Sequence, residues 1–224
     1  LTRACNFMKE TATQGGAILF VGTKKQAQAI IKEEAQKCDM FYVTERWLGG
    51  TMTNFGTIRK SIKRLVDLER MKAEGIIEQL SKKEASQLSK EMAKLHKNLD
   101  GIKNMDRLPA AIYLVDPKKE EIVVREANKL GIPVAALIDT NCDPDRIDFV
   151  IPGNDDALRA IKLVTSMISE SVKEGRKNFR ESNLEVESGI ETVKSPSTEK
   201  EPVVEKKSKP ASSAKETKPK KVKR

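Results

Sequence analysis

The sequence predicts an α/β fold in which helices cover both faces of a parallel β-sheet. Short, continuous apolar runs indicate strands that are buried on both faces. Amphipathic segments with helical spacing lie between these runs, and such alternation joins strands into a parallel sheet. A chain of 224 residues is long enough for one medium domain of this kind with additions.

The first two elements are a helix and a buried strand. A helical stripe begins at Leu1 with no capping residue before it, so we expect an N-terminal segment to be missing from this chain. Residues 17–21 form an apolar run between Gly16 and Gly22, which predicts the first strand. The stripe of the first helix consists of Leu1, Ala4, Cys5, Met8 and Ala12.

The second helix follows this strand, and four more strands come after it. Thr23 is of a residue type that caps helices, so we expect it to begin the second helix. Further apolar runs predict the remaining strands at residues 41–43, 111–115, 134–138 and 149–151. The apolar stripe of the second helix consists of Ala27, Ile30, Ile31, Ala35 and Cys38.

Two more helices cover the later strands. Asp116 is expected to cap the first of them, with Pro117 at its first helical position and Gly131 at its end. The last helix is expected to open near residues 154–156. Their buried faces are predicted to be Ile122, Val123, Ala127 and Leu130 in the first, and Leu158, Ile161, Val164, Ile168 and Val172 in the second.

A different pattern separates the second and third strands. Two narrow apolar stripes with charged flanks lie on either side of Gly75, and a coiled-coil hairpin of two helices requires this pattern. We therefore predict a hairpin insertion at residues 56–103, between two parts of the α/β domain at residues 1–55 and 104–180. The stripes are Ile58, Ile62, Leu65 and Leu68, then Leu88, Met92, Leu95 and Leu99.

The C-terminal part of the chain has a different composition. Only seven of the 44 residues at positions 181–224 are Leu, Ile, Val or Phe, which is too few to offset the entropy of ordering the chain. We therefore predict a disordered charged tail there. Its last stretch, 206–224, carries nine basic and one acidic residue, whereas residues 1–180 carry 31 basic and 25 acidic residues.

Composition excludes several classes of function. No apolar run has the roughly 20 residues that a membrane span needs, so we expect no membrane partner. Three widely spaced cysteines and one histidine, His96, argue against a disulfide scaffold, a metal site and histidine-dependent catalysis. The sequence thus predicts no metal ligands, no cofactor and no catalytic residues.

Two neighbouring lysines follow the first strand at the start of a helix. Backbone N–H groups at such a position attract anions, so Lys24 and Lys25 are candidates for phosphate contact. The surrounding residues, 22–25, match neither nucleotide-binding glycine fingerprint. A solvated helix start explains the two lysines equally well.

The most unusual stretch is residues 45–55, between the second strand and the hairpin. It contains two adjacent glycines, which permit close backbone approach, and side chains that donate to phosphate or ribose oxygens. The alternative is that Trp47 packs under the hairpin while the glycines turn the chain, and both roles are compatible. The candidate donors are Arg46, Thr51, Thr53 and Asn54.

Two aspartates end predicted strands at the edge where α/β proteins bind ligands. Asp116 and Asp139 are therefore candidates for a phosphoacceptor or metal-binding pair. The structural alternative is favoured, because Asp116 precedes Pro117 as a helix cap does and Asp139 opens a turn-forming loop.

Five motifs in order resemble the bacterial form of the ribosomal protein S-two family, the second protein of the small ribosomal subunit. They read RWLGGTMTN, LPAAIYLVDP, EANKLGIP, LIDTNCDP and IPGNDD, at residues 46–54, 108–117, 126–133, 137–144 and 151–156. The resemblance covers nearly all of residues 1–177. The sequence departs from the family in lacking its N-terminal segment and in the lysine-rich tail, a variable feature to which the resemblance assigns no role. The resemblance implies a flavodoxin-like parallel sheet with a protruding helical hairpin.

The resemblance also implies a non-catalytic function on the cytoplasmic ribosome. The partners that it implies are small-subunit rRNA, neighbouring small-subunit proteins and the mRNA-binding protein S-one. The candidate RNA-binding residues are then Lys24, Lys25, Arg46, Trp47, Thr51, Thr53, Asn54 and Arg59. The competing hypothesis is a flavodoxin-like enzyme or phosphate-responsive switch that uses Asp116 or Asp139, although shared folds host many functions.

Overall fold

A five-stranded parallel sheet forms the centre of the molecule. The computed structural model describes residues 1–191, with side chains described as far as residue 182. The strands are β1 (Ile18–Val21), β2 (Phe41–Val43), β3 (Ala111–Val115), β4 (Val134–Ile138) and β5 (Phe149–Pro152). Their lateral order is β2-β1-β3-β4-β5 and every neighbouring pair is parallel, which is the flavodoxin-like arrangement.

The described part of the chain, residues 1–191, contains six α-helices. They are α1 (Thr2–Thr13), α2 (Lys25–Lys37), α3 (Phe55–Ala73), α4 (Lys82–Leu99), α5 (Glu121–Leu130) and α6 (Leu158–Glu191). Two short 3₁₀ turns, Ile77–Gln79 and Asp100–Ile102, flank α4. The predicted strands are thereby confirmed to within one residue at their ends.

An apolar layer lies on each face of the sheet. The strands contribute side chains to both layers, because successive side chains of a strand point to opposite faces of the sheet. Ile18 and Phe20 belong to the layer beneath α1, α2 and α6, whereas Leu19 and Val21 belong to the layer beneath α3 and α5. All four β1 side chains are fully buried. This two-sided burial explains why the strands are continuous apolar runs in the sequence.

The starts of three helices differ from the prediction. Thr23 does not cap α2; its hydroxyl donates to the buried carboxylate of Glu120 instead. The helix after β3 begins at Glu121 rather than Pro117, because Asp116 has a φ of +61° and directs the chain into a turn first. The last helix begins at Leu158, after Asn154 has accepted hydrogen bonds from the next turn.

Some side chains predicted to be buried on the helices are exposed. On α5, Ile122 and Leu130 face solvent, while Val123, Val124 and Ala127 form the buried face. On α6, Leu158 is exposed, and the buried face begins at Ile161. The apolar face of each helix is thus narrower than the sequence indicated.

The segment predicted as a hairpin consists of α3 and α4, which pack against each other. On α3 the predicted stripe is buried, and Ile62 and Leu65 share an apolar layer with Leu19 of the sheet. On α4 only Leu99 of the predicted stripe is fully buried, and Leu88 is half-buried. The base of this helical pair is therefore continuous with the α/β core.

The predicted disordered tail, residues 181–224, overlaps the end of the last helix and stays a prediction. Helix α6 continues to Glu191, because extending a packed helix adds one hydrogen bond per residue without a new nucleation step. The remainder of the predicted tail, 192–224, lies outside the described residues. Among residues 1–191, none of the helices is long and apolar enough to cross a membrane.

Candidate nucleic-acid interface

The loop between β2 and α3 is fastened to α5 by one carboxylate, that of Glu126. Its Oε1 accepts hydrogen bonds from the Gly50 amide at 2.7 Å and the Trp47 indole Nε1 at 3.1 Å. Its Oε2 accepts from the amides of Met52 at 3.0 Å and Thr53 at 2.9 Å, and from the Thr53 hydroxyl at 3.1 Å. Five donors therefore converge on two oxygens.

These hydrogen bonds keep Glu126 ionised inside the protein. The residue is only 6% exposed, and burial by itself raises the pKa of a carboxyl group. Donation from the Thr53 and Gly50 amides, the Trp47 indole and the Met52 amide outweighs burial, and the pKa of Glu126 is lowered. Charge-assisted hydrogen bonds of this kind are stronger than neutral ones.

Gly50 shapes the turn that brings these donors together. Its φ of +88° lies in the left-handed region, which a residue with a Cβ rarely adopts. The Asn54 amide donates to the Gly50 carbonyl at 2.8 Å and closes the turn before α3. The two adjacent glycines of the sequence thus serve a turn, as one of the two sequence interpretations proposed.

The anchored loop presents some of the predicted residues and buries others. Arg46, Thr53 and Asn54 are exposed. Trp47 is 6% exposed and Thr51 is 2% exposed, and the Thr51 hydroxyl donates to the Leu48 carbonyl at 2.5 Å. Both side chains point into the protein and support the loop, so direct RNA contact by Trp47 and Thr51 stays a prediction that their burial does not favour.

Lys25 and Arg59 are the exposed cations that flank this loop in the candidate set. Arg59 lies on α3, and its guanidinium is 3.3 Å from the carboxylate of Asp106, an ion pair that is open to solvent. Lys25 lines a depression of about 380 Å³ between α2, the end of β2 and the end of α4. Lys32 and Lys97 line the same depression, so three positive side chains from two elements, α2 and α4, face one space.

Lys24, by contrast, is engaged inside the edge of the sheet. Its ammonium lies 2.7 Å from Asp155, 2.6 Å from Asp156 and 3.4 Å from Asp116. Burial alone lowers the pKa of Lys24, but hydrogen bonds to Asp155 and Asp156 and the charge of Asp116 outweigh it and raise the pKa. The phosphate contact of Lys24 stays a prediction that this arrangement does not favour, because three carboxylates already surround its charge.

The strand-end aspartates of the competing enzyme hypothesis are engaged in the same way. Asp116 accepts from the Lys119 amide at 3.2 Å and lies against Lys24. Asp139 accepts from the Thr140 amide at 2.6 Å, and this hydrogen bond lowers the pKa of Asp139. Within the described part of the chain, the acidic, histidine and cysteine side chains form no group of three that could hold a metal ion.

Glu126 and the Lys24 ion pairs are the two features that sequence reasoning missed. A signal for Glu126 existed, because it lies three residues after Val123 on the buried face of an amphipathic helix, where a carboxylate is out of place. Its partners are more than 70 positions away in the sequence, however, and no local pattern identifies them.

Fold and site together define a class of protein: a flavodoxin-like α/β binding protein with basic side chains beside an anchored glycine-rich loop. Comparison with the models of known protein families then identifies the family to which this chain belongs. The model of the family described as Ribosomal protein S2 matches residues 1–175, and this chain belongs to that family.

Family membership confirms several predictions made from the sequence. The chain is a structural constituent of the small ribosomal subunit and not an enzyme. It associates with small-subunit rRNA and ribosomal proteins, on the ribosome in the cytoplasm. The hypothesis of a flavodoxin-like enzyme is not favoured.

Proposed function

We propose that this protein binds folded small-subunit rRNA through phosphate and shape contacts made by the loop before α3 and the cations beside it. The observation that carries the proposal is the Glu126-anchored loop, which exposes Arg46, Thr53 and Asn54 between two further exposed cations, Lys25 and Arg59. Basic side chains release counterions when they neutralise phosphates, and this release supplies much of the affinity for RNA.

The burial of the aromatic side chains favours binding to folded RNA over binding to single strands. Single-strand binding requires exposed rings on which bases stack. Here Trp47, Tyr42 and Tyr113 are buried, and Phe7 is stacked on Phe149 with ring centroids 4.4 Å apart. Contacts to phosphates and to the shape of a folded RNA therefore suit this surface better.

The helical pair extends the basic surface away from the sheet. Lys83, Lys90 and Lys94 are exposed and lie on one face of α4, spanning about 16 Å along the helix. The acidic residues Glu84 and Glu91 lie on another face, where they contact Ser81 and Arg64. We infer that this lysine face follows an RNA backbone.

The domain organisation is part of the same proposal. Residues 56–103 form a coiled-coil hairpin insertion that holds its cations at a distance from the α/β domain of residues 1–55 and 104–180. The packing of α3 against α4 supports this division, as does the α4 capping box, in which Ser81 and Glu84 satisfy each other's amides.

We also propose a protein partner, S-one, as the family resemblance implies. The exposed Leu163 and Met167 lie one turn apart on α6, on the side of the sheet opposite the RNA-binding loop. An apolar pair at this position suits a protein neighbour while leaving the basic surface to RNA. Replacing both with Ser should weaken binding of S-one and leave RNA binding unchanged.

The test is the salt dependence of binding between the full chain and small-subunit rRNA. We expect affinity to fall steeply with salt, and Arg46→Ala to reduce the slope of log affinity against log salt by about one. Arg159→Ala is the matched control, because Arg159 is an exposed arginine on α6, across the sheet. A flat salt response, or equal effects of the two substitutions, would contradict the proposal.

A further inference from the structure

We propose that Glu126 is a positioning residue for RNA binding: its buried carboxylate sets the conformation of a loop that contacts RNA, although it never touches RNA itself. This inference rests on the proposed function, because it assigns Arg46 and Asn54 to the RNA contact. It adds an internal anchor on α5 to the recognition surface.

Five hydrogen bonds fasten the loop to Glu126 on α5, and the side chains of Trp47 and Met52 also pack in the apolar layer beneath α3 and α5. Residues 44–54 lie between β2 and α3 and form no strand pairs. The hydrogen bonds within the loop are local, such as those from the Thr51 amide to the Leu48 carbonyl at 3.0 Å and from the Asn54 amide to the Gly50 carbonyl at 2.8 Å. Such bonds shape a turn but do not fix its position relative to the sheet.

Glu126 supplies that fixed reference. Glu126 lies on α5, and the nearby α5 residues Val123 and Ala127 are fully buried in the core. The carboxylate is therefore held rigidly. The loop wraps around it with donors from Trp47, Gly50, Met52 and Thr53. The arrangement resembles an anion-binding nest that the protein fills with its own carboxylate.

The exposed candidate RNA-binding residues are next in sequence to these donors. Arg46 precedes Trp47, and Asn54 follows Thr53, so the two exposed side chains lie at the ends of the anchored segment. Asn54 also accepts a hydrogen bond from the Thr57 hydroxyl at 2.9 Å at the start of α3. Loss of the Glu126 hydrogen bonds would thus loosen the turn that lies between Arg46 and Asn54.

A neutral amide cannot replace the carboxylate. Glutamine has nearly the same volume, but one of its two terminal atoms is an NH₂ group that only donates. Whichever way the amide is oriented, that group faces either the Gly50 and Trp47 donors or the Met52 and Thr53 donors. Glu126→Gln therefore breaks about half of the hydrogen bonds while preserving the packing.

A matched control lies on the same stretch of chain. Glu120, at the start of α5, is 5% exposed and accepts a hydrogen bond from Thr23, away from the loop. Burial raises the pKa of Glu120, opposite to the shift at Glu126, so a neutral glutamine is a better mimic there. Glu120→Gln also removes a buried carboxylate, but it leaves the anchor intact.

The experiment is a double-mutant cycle on RNA affinity, measured with the full chain and small-subunit rRNA. Arg46→Ala, Glu126→Gln and the double variant are compared at one salt concentration, with hydrogen exchange of the Gly50, Met52 and Thr53 amides as the readout of loop order. We expect Glu126→Gln to accelerate exchange and to lower affinity about tenfold. Arg46→Ala should then cost less than twofold in the Glu126→Gln background, because a freed loop no longer places Arg46.

The outcomes separate this inference from the proposed function. If the wild-type chain does not bind rRNA, both are overturned. If the wild type binds and Arg46→Ala loses as much affinity in the Glu126→Gln background as in the wild type, the positioning role alone is wrong. An equal loss of affinity in Glu120→Gln would likewise overturn it, because the effect would then be general to buried carboxylates.

A milder variant keeps the test decisive if Glu126→Gln does not fold. Trp47→Phe keeps the buried ring but removes the indole donor to Glu126. It should produce a smaller rise in exchange at Gly50, and a partial loss of coupling to Arg46→Ala. Unchanged exchange together with unchanged coupling would contradict the inference.

Discussion

Replacing Lys24 with methionine should destabilise the fold far more than the same change at its neighbour Lys25. The side chain of Asp155 is almost completely buried, with a side-chain exposure of 1%, and its Oδ1 lies 2.7 Å from the Lys24 ammonium. Its Oδ2 has no hydrogen-bond partner within the described residues, so Lys24 supplies much of the compensation for this buried charge.

The magnitude follows from that burial. Removing one partner of a buried ion pair costs about 3–5 kcal/mol, because an uncompensated charge remains inside the protein. For a domain of this size, that corresponds to a fall of about 6–20 °C in Tm. Lys25 is exposed, and Lys25→Met should change stability by no more than about 0.5 kcal/mol.

Urea and thermal unfolding, followed by circular dichroism, measure both variants against the wild type. Adding Asp155→Asn to Lys24→Met should recover part of the loss, since it removes the buried charge. In RNA binding the order should reverse, because Lys25→Met weakens affinity whereas folded Lys24→Met does not. Equal stabilities of the two variants would refute this reasoning.

Three further predictions concern the loop, the helical pair and the C-terminus. The lowered pKa of Glu126 stabilises the fold at pH values above 4.5, the ordinary pKa of a glutamate, and this stabilisation is lost as the pH falls below 4.5. Fluorescence of Trp47, the only tryptophan, should report loop release in acid for the wild type and not for Glu126→Gln. Leu65→Ala should lower the free energy of unfolding in urea by about 2–5 kcal/mol, because Leu65 is fully buried in the shared core. Leu88→Ala should lower it by less than about 1.5 kcal/mol, because Leu88 is only partly buried. Deleting residues 206–224 should leave Tm within about 2 °C of the wild type, since the two described apolar layers lie within residues 4–172; a larger fall would show that the deleted segment packs.

The sheet was predictable from the sequence because a strand that is buried on both faces is a continuous apolar run. This run can be recognised without knowing which strands pair with each other. A strand such as residues 111–115 must be apolar at every position, and its run stands out from the charged helices around it. The stripes of α2 and α3 were predictable for a similar reason, since each has one face against a flat sheet or a neighbouring helix.

The candidate site was predictable only in part, because its arrangement depends on distant residues. The glycine-rich loop stood out by composition, but the orientation of Trp47 was decided by Glu126, and that of Thr23 by Glu120. The difference between Lys24 and Lys25 depends on the rotation of α2 relative to the loop that carries Asp155. No property of two adjacent lysines reveals that rotation.

We propose that the surface beside the anchored loop contacts rRNA in the assembled small subunit. The most direct measurement is crosslinking to RNA from a photoreactive group placed at position 46 or, separately, at position 159, in purified small subunits. We expect crosslinks to rRNA from position 46 and none from position 159, which lies on α6 across the sheet. Subunits that contain the protein but crosslink RNA only from position 159 would contradict it.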